Sequence, residues 1–572
     1  MTGLRSPRRL GFTLLVSLLL GACSQNPTQA PAADRSQEQA PPPTKIEAAK
    51  PAMPVPPPMP VALPAPAPAL IAEARAHVAP PAPMLQSTMV GMAPPNALPS
   101  TARYTAFEDR PWQRAAEAPV STFSASVDTG SYANVRRFLN RGSLPPRDAV
   151  RVEELVNYFS YDYAPPASNA STPFAVDARL VASPWKAGRG LLRVAIKGQD
   201  LAKQSLPPAN LIFLVDVSGS MGPQDRLPLV RSALHLLTNQ LRAEDRVGIV
   251  SYASGTRVVL EATPGDRKDA IHAAIDTLQA GGGTYGEAGI RLAYAQAHAG
   301  FIAKGINRVL LATDGDLNIG VTNPAELKDL VEGERKRGVG LTTLGVGDSN
   351  FNEALMKKLA DSGDGSYHYL DTLQEAHKVL VNEMTSTLAV IAQDLKLQIE
   401  FNPALVQEYR LIGYELNNLS REQFNDDKVD AGDIGAGHTV TALYEIIPAG
   451  AKGTVDPLRY QQDKGAKPAD RHGNELAWLK LRYKPPGQAD SRLVEVPIAK
   501  AASWPVLDKA DADLRFAVAV AAWGQWLRGS TQIGDYGPAQ ITALAHEARG
   551  ADRYGHRAEF ERLVELSASL KR

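Results

Sequence analysis

The sequence has 572 residues but only one cysteine, Cys23, so one chain cannot form an internal disulfide. It also lacks an excess of either charge, with 61 lysine and arginine residues against 61 aspartate and glutamate residues. Without a basic excess there is no general electrostatic attraction to nucleic acid, and nucleic-acid binding is not expected. A chain of this length is too long for one hydrophobic core and predicts several domains.

Motifs of several enzyme classes are missing as well. The sequence has no H-E-x-x-H zinc-protease pattern and no phosphate-binding P-loop. Ser220, in "SGSMG", lacks the glycine two residues earlier that a G-x-S-x-G nucleophile requires. Asp128 in "SVDTGS" and Asp361 in "DSG" could suggest an aspartic protease, but one is predicted before a helix and the other after one. We therefore assign no catalytic residue and expect no enzyme activity.

The N-terminus lacks an apolar run long enough to span a bilayer. Three arginines precede the short apolar run 10–20, which is the layout of a secretory signal, so residues 1–22 are predicted to be a signal peptide. "LLGAC" at 19–23 resembles the lipobox of bacterial lipoproteins, and that resemblance implies a lipid on Cys23. The serine after it resembles the signal for the outer membrane, so we expect a lipid-anchored protein of the cell envelope. The alternative is an uncleaved anchor with a chance cysteine.

The rest of the chain changes composition and pattern several times. Residues 23–100 are rich in proline and alanine, bury too little apolar area to offset ordering, and are expected to form a tether. The predicted parts after it are an N-terminal α+β segment (101–205), an α/β domain (206–392), a β-rich part (393–505) and a helical C-terminal segment (506–572).

Apolar strands alternate with amphipathic helices from 206 to 392, ending in a long predicted helix over 372–392. Continuous apolar strands between helices favour a parallel sheet covered on both faces, which is a doubly wound α/β fold. Alternating strands occur before this domain, at 174–198, and after it, at 394–499. We therefore expect the α/β domain to be inserted into a β-sandwich.

Polar side chains follow the strands of the predicted α/β domain. The strand "LIFLVDVSGSMG" ends at Asp216, Ser218 and Ser220, while Thr284 lies in "AGGGTYGEAG" and Asp314 in "ATDGD". Ligands of doubly wound sheets bind at the carboxyl ends of the strands, so these side chains are expected to meet. Two carboxylates and three hydroxyls are hard oxygen ligands that suit Mg²⁺, or Mn²⁺ and Ca²⁺ less strictly. The alternative is a strand-to-helix turn in which the serines only cap backbone groups.

The five positions resemble the metal-ion-dependent adhesion site of von Willebrand factor A domains. By that resemblance Ser218, Ser220 and Thr284 supply hydroxyl ligands, Asp216 and Asp314 act directly or through water, and an acidic residue of a partner completes the coordination. A family of exported bacterial von Willebrand A lipoproteins, with an N-terminal companion segment and a C-terminal domain of unknown function, is further resembled by the segments 121–139, 144–163, 410–417 and 422–445 and by the helical tail. The resemblance covers nearly all residues after 115, with the von Willebrand A domain at 206–392.

The expected function is that of an envelope lipoprotein that binds a protein ligand through a divalent cation. One alternative is an envelope hydrolase or assembly scaffold in which the von Willebrand A domain only recruits. Hydrolysis at the cation would need a general base, for which Glu287 and Asp316 are the nearby acids. The acidic stretch "FNDDKVDAGDIGAG" at 424–437 does not have EF-hand spacing and is expected to be a loop.

Overall fold

A computed structural model of the protein describes residues 104–125, 128–315, 324–347, 351–456, 458 and 472–571. The predicted signal peptide, the predicted tether and Cys23 lie outside these residues. Within the described ranges, no helix has both the length and the apolar character needed to cross a membrane.

The helices and strands fall into three successive stretches of chain. The first stretch holds β1 (Gln113–Arg114), β2 (Val120–Ser124), α1 (Gly130–Asn140), α2 (Val152–Asn157), β3 (Phe174–Ala182) and β4 (Gly190–Gly198). The second holds β5 (Ala209–Asp216), α3 (Leu227–Gln240), β6 (Arg246–Tyr252), β7 (Thr256–Pro264), α4 (Lys268–Asp276), α5 (Gly286–Ala299), β8 (Ile306–Thr313), α6 (Pro324–Lys336), β9 (Gly340–Gly345), α7 (Glu353–Ser362), β10 (Tyr367–Tyr369), α8 (Leu373–His377) and α9 (Met384–Leu388). The third holds β11 (Val390–Phe401), β12 (Val406–Ile412), β13 (Ile434–Gly435), β14 (Thr439–Pro448), β15 (Glu475–Lys484), β16 (Arg492–Ala499), α10 (Ala512–Leu527), α11 (Pro538–Glu547) and α12 (His556–Leu570).

The strands of the second stretch form one sheet in the order β10-β9-β8-β5-β6-β7. The pairs from β10 to β6 are parallel, as predicted, but β7 pairs antiparallel with β6. The predicted parallel sheet therefore carries one additional antiparallel strand at this edge. Only Ala253–Gly255 separate β6 from β7, and a connection this short can join antiparallel strands but not parallel ones.

Helices cover both faces of this sheet because β5 is apolar on both faces from Leu211 to Val215. Leu211, Phe213 and Val215 pack into the core shared with α3 and α4. Ile212 and Leu214, which point the other way, pack into the core shared with α5, α6 and α7. Every residue of β5 is buried, so this strand is the centre of the doubly wound domain.

The flanking strands form a β-sandwich of two antiparallel sheets. One sheet has the order β1-β12-β14-β4-β3, and the other has the order β13-β11-β15-β16 with β2 paired to β11. Strands from before and after the α/β domain are neighbours in both, since Leu192 of β4 pairs with Tyr444 of β14 and Phe123 of β2 pairs with Leu397 of β11. All four side chains belong to one buried core. The predicted insertion of the α/β domain into a sandwich is confirmed.

The C-terminal helices α10, α11 and α12 share a core with the first stretch of the chain. Tyr132 of α1 stacks on Tyr158, with ring centroids 3.8 Å apart, and lies edge-on to Trp523 of α10. Phe159 contacts both Phe516 of α10 and Phe560 of α12 edge-to-face. A small helical segment was the expectation, and the structure adds that it is packed onto the N-terminal segment rather than standing alone.

The long helix predicted over 372–392 is interrupted. Helix α8 passes into a π-helical turn at Lys378–Asn382, α9 ends at Leu388, and β11 begins at Val390. Val390 pairs with Gly435 of β13, so the end of the predicted helix is instead a strand of the sandwich. The predicted boundary at 392 falls inside that strand.

Candidate functional site

Asp216 is buried at the end of β5 and is held by three donors. Its Oδ1 accepts a hydrogen bond from the Ser218 backbone N–H at 2.9 Å. Its Oδ2 accepts bonds from the Thr313 hydroxyl at 2.8 Å and the Tyr252 hydroxyl at 3.3 Å. Burial is the main cause that raises the pKa of Asp216 from 3.8 to about 6, although the Ser218 and Thr313 bonds oppose it. The carboxylate is thus fixed in orientation and short of positive charge.

The two serine hydroxyls of the motif lie side by side just beyond Asp216. Ser218 Oγ and Ser220 Oγ are 3.0 Å apart, with Ser220 in a tight turn formed by Gly219–Met221. Neighbouring ligands of an octahedral Mg²⁺ at about 2.1 Å would be separated by about 3.0 Å. The spacing of these oxygens therefore fits two adjacent positions around one such ion.

The glycine-rich loop that carries Thr284 is tied to the serine loop by backbone hydrogen bonds. Gly219 N–H donates to the Gly282 carbonyl at 2.9 Å, and Gly281 N–H donates to the Val217 carbonyl at 2.8 Å. Gly282 has a φ of +84°, and a Cβ there would overlap the Ser254 side chain, so this close approach requires glycine. Thr284 is buried and lies two residues after Gly282. Its loop is therefore held next to the loop that carries Ser218 and Ser220.

Asp314 follows β8 and reaches the serine loop through an arginine. Arg226 Nη1 donates to Asp314 Oδ2 at 2.8 Å and to the Ser220 carbonyl at 2.6 Å. Asp314 and Arg226 are both buried. The five predicted positions therefore lie on three loops that are bonded to one another at the carboxyl ends of β5 and β8.

The donor set fits a hard divalent cation and no softer metal. It offers carboxylate and hydroxyl oxygens without a histidine or a thiol, which is the preference of Mg²⁺, Ca²⁺ and Mn²⁺. Across the described ranges, no group of three or more His, Cys, Asp or Glu residues is placed to hold a metal ion. Any cation at this edge would therefore depend on the hydroxyls of Ser218, Ser220 and Thr284 as much as on the two carboxylates.

Other residues considered for chemistry have structural partners. Asp128 accepts a bond from the Tyr367 N–H at 3.1 Å and pairs with Lys357 at 2.8 Å, while Asp361 lies in the last turn of α7. His368 is buried, bonds to the Ser366 hydroxyl at 2.8 Å, and has its pKa lowered to about 4 by burial. Asp128 thus links β10 to α7, and His368 is bonded within its own stretch of chain.

Glu287 and Asp316 are the two acids considered as a general base, and the structure describes only the first of them. Glu287 lies on the first turn of α5 and pairs with Arg291 at 2.9 Å, which makes it part of an exposed ion pair on the helix. Asp316 lies outside the described residues.

Sequence reasoning missed three residues that shape the site: Thr313, Tyr252 and Arg226. Thr313 could have been found, because it stands directly before Asp314 at the end of a strand that neighbours β5. Tyr252 ends β6 as Asp216 ends β5, and the two are register partners. No spacing in the sequence marks Arg226, since its contact with Asp314 depends on where α3 begins.

Known protein families match most of the part of the chain that the structure describes. Three family models match: one described as von Willebrand factor at residues 98–193, one as von Willebrand factor type A domain at 210–382, and one as Uncharacterized protein YfbK, C-terminal, at 386–570. Uncharacterized protein YfbK of Escherichia coli (strain K12) is 50% identical over 477 residues, which is 82% of each chain. Uncharacterized protein sll0103 of Synechocystis is 30% identical over 32% of this chain and 43% of that protein.

A solved structure, von Willebrand factor type A from Catenulispora acidiphila, is 16% identical, covers 69% of this chain and 91% of that one, and has a TM-score of 0.37. The type A domain model matches the stretch that forms the doubly wound sheet, from β5 to the π-helical turn. The predicted von Willebrand A fold is confirmed.

Asp216→Asn tests the electrostatic state of the buried carboxylate. Because the pKa of Asp216 is raised in the folded protein, ionisation of this side chain above pH 4 destabilises the fold of the parent. Asparagine does not ionise, so the variant escapes this destabilisation. We expect the unfolding free energy of the variant, relative to the parent, to rise by roughly 2 kcal/mol between pH 4 and pH 7.5. The measurement is denaturant unfolding at both pH values with EDTA present.

Asp245→Asn is the matched control. Asp245 is also buried, but bonds from Arg242 outweigh its burial and lower its pKa, so its ionisation stabilises the fold. This variant should be less stable than the parent by a nearly constant amount between pH 4 and pH 7.5, because the stabilisation by the ionised carboxylate is lost only at lower pH. If the difference in unfolding free energy between Asp216→Asn and the parent did not change with pH, burial would not destabilise the ionised carboxylate.

Proposed function

Because this chain belongs to the YfbK family of von Willebrand factor A domain proteins, we propose that it recognises a protein ligand through a divalent cation. Von Willebrand A domains commonly mediate protein–protein interaction. The observation that carries the proposal is the pair of hydroxyls, Ser218 and Ser220, set 3.0 Å apart beside the fixed carboxylate of Asp216. Thr284 and Asp314 supply the remaining oxygens from the two loops bonded to this one.

The chemistry of the donors favours Mg²⁺, with Mn²⁺ or Ca²⁺ as less strict fits. Three of the five donors are neutral hydroxyls, so a bound ion keeps much of its positive charge. Such an ion attracts one further oxygen ligand from outside the chain. An exposed aspartate or glutamate of a protein partner supplies that oxygen, with a charge that the ion attracts strongly.

We propose that the cation site binds a ligand and does not catalyse a reaction. Hydrolysis at the cation would require a free carboxylate or imidazole as general base. Glu287 is paired with Arg291, and His368 is buried against Ser366. The hydroxyl donors Ser218 and Ser220 bond to each other, with no histidine in the described ranges donating to or accepting from either.

We further propose that the chain acts in the cell envelope, anchored by a lipid on Cys23 in the outer membrane. The support is the signal-like N-terminus with "LLGAC" and the absence of any second cysteine.

Photo-crosslinking at the edge of the site tests protein recognition. Tyr285 follows Thr284 directly and is exposed, so a photoreactive phenylalanine analogue there would face a bound partner. We expect a crosslinked protein adduct in cells that produce the chain. The adduct should be absent when EDTA is added and absent in the Asp216→Ala variant. The variant Asp276→Ala removes an exposed carboxylate at the C-terminal end of α4 and should keep the adduct.

The readout is the set of adducts resolved by mass on a gel and identified by peptide sequencing. Adducts whose yield is the same with Mg²⁺, with EDTA and in Asp216→Ala would contradict cation-dependent recognition.

Cys23→Ser tests the anchor. Serine cannot accept the thioether-linked lipid, so the variant should move from the membrane fraction to the soluble envelope fraction while keeping its fold. The measurement is immunoblotting of separated fractions, with Ser24→Ala as the control that keeps the cysteine. Equal membrane association of Cys23→Ser and the control would contradict lipid anchoring.

A further inference from the structure

Strand β3 is an open edge of the first sandwich sheet. In the order β1-β12-β14-β4-β3 it pairs with β4, and among the described residues no strand lies on its other side. Its nine residues contain no proline and no register shift, which are common ways of protecting an edge. An edge of this kind presents outward N–H and C=O groups that another strand can bind.

Alternate residues of β3 direct their backbone groups away from β4. The Gln199 N–H donates to the Pro173 carbonyl at 2.8 Å, in the same register that pairs Phe174 with Gly198. In an antiparallel ladder, every second residue bonds to the neighbouring strand. The odd-numbered residues of β3 therefore bond to β4, and the backbone groups of the even-numbered residues point outward.

The two ends of this edge are closed, and its middle is open. The Thr172 hydroxyl donates to the Phe174 carbonyl at 3.0 Å. The Ala182 N–H donates to the Pro505 carbonyl at 2.8 Å. Three residues between these ends have outward N–H and C=O groups with no hydrogen-bond partner in the part of the chain that the structure describes: Val176, Ala178 and Leu180.

The charged side chains of β3 complement a second, antiparallel copy of the same strand. If two copies pair about Ala178, the three open residues of one copy face the three open residues of the other. Asp177 of each copy then lies opposite Arg179 of the other copy. These two positions are of the non-hydrogen-bonded type, where side chains on neighbouring strands are closest and opposite charges attract.

The charges already on this face favour such a partner. Arg179 is the register partner of Arg193 in β4, so two arginines lie side by side. Asp177 contacts both of them, at 3.0 Å from Arg179 and 2.5 Å from Arg193. The Arg179 side chain is nevertheless 62% exposed. A carboxylate from a second copy, placed on the open side of Arg179, would offset the repulsion between the two arginines.

The opposite face of β3 supplies apolar contacts. Val176, Ala178 and Leu180 are only half-buried, although they pack against the sandwich core. In the antiparallel pair, Val176 of one copy lies opposite Leu180 of the other. Pairing would therefore remove further apolar surface from water, which favours association.

We propose that β3 is a dimerisation strand. It pairs antiparallel with β3 of a second copy about a two-fold axis at Ala178, and this pairing joins the first sandwich sheets of the two copies into one. The two-fold axis repeats every contact, so each dimer contains two ion pairs between Asp177 and Arg179 of different copies. The dimer does not depend on the proposed cation site, which lies in the α/β domain.

The test is analytical ultracentrifugation of the purified chain over a range of concentrations. All samples carry Cys23→Ser, so that no lipid contributes to association. The parent should sediment as a dimer that dissociates on dilution. Asp177→Arg and Arg179→Asp each place like charges opposite each other, and each should weaken dimerisation by roughly tenfold or more.

An equimolar mixture of these two variants is the sharpest control. On this face one chain then carries two arginines and the other carries two aspartates, so every cross-strand position pairs opposite charges. The mixture should dimerise about as tightly as the parent. Glu495→Arg reverses a carboxylate on β16, the edge strand of the other sheet, and should leave dimerisation unchanged.

Circular dichroism checks that each variant is folded. If a single variant does not fold, the double variant Asp177→Arg/Arg179→Asp, which exchanges the charges within one chain, must dimerise like the parent. Ala178→Pro removes an outward N–H at the proposed axis and must be monomeric. A parent that stays monomeric would overturn the proposal and leave this edge to a strand of a different protein. Folded single variants that dimerise like the parent, or a mixture that does not reassociate, would also overturn it.

Discussion

The parallel pairing of β5 with β8 is the constraint on which the rest of the structure depends. Val215 and Ala312 are register partners, so the two strands end together and release Asp216 and Asp314 at the same edge of the sheet. The hydroxyl of Thr313, at the end of β8, bonds directly to the Asp216 carboxylate and locks the two strand ends to each other. Two acids separated by about a hundred residues of chain are thereby held in one site.

Buried ion pairs join the N-terminal segment to the α/β domain and to helix α12. Arg136 of α1 contacts Glu375 of α8 at 2.7 Å and Glu559 of α12 at 3.0 Å. Lys357 of α7 pairs with Asp128 and with Glu154 of α2, at 2.8 and 2.9 Å. Removing one member of such a buried pair strands a charge and typically costs 3–5 kcal/mol. Within the described residues, the α/β domain is therefore held firmly against α1 and α2, and Arg136 connects both to α12.

Local pattern was enough to predict the elements that carry the site. Leu211 to Val215 form a continuous apolar strand followed by alternating polar residues, and a buried parallel strand with a ligand-binding end produces that pattern. The sandwich also followed from alternating strands on both sides of the α/β domain. In both cases the hydrophobic periodicity of a short stretch determines the local structure and which face is buried.

Contacts between remote segments could not be predicted in the same way. Tyr132 and Trp523 meet in one core, yet each would satisfy the local pattern of a helix packed against any apolar surface. The antiparallel edge strand β7 depends on the length of its connection to β6. The end of the long predicted helix depends on the pairing of Val390 with β13. Arg226 was invisible for the same reason, because nothing near it in sequence indicates that Asp314 is its partner.

The proposed cation site requires that the hydroxyls of Ser218 and Ser220 are ligands of one divalent cation. The most direct measurement is anomalous diffraction at the manganese edge from crystals of the protein grown with Mn²⁺. We predict a single strong peak at this edge of the sheet, about 2.2 Å from both serine oxygens. A well-ordered site with no peak there, or a peak bound only by carboxylates elsewhere, would contradict it.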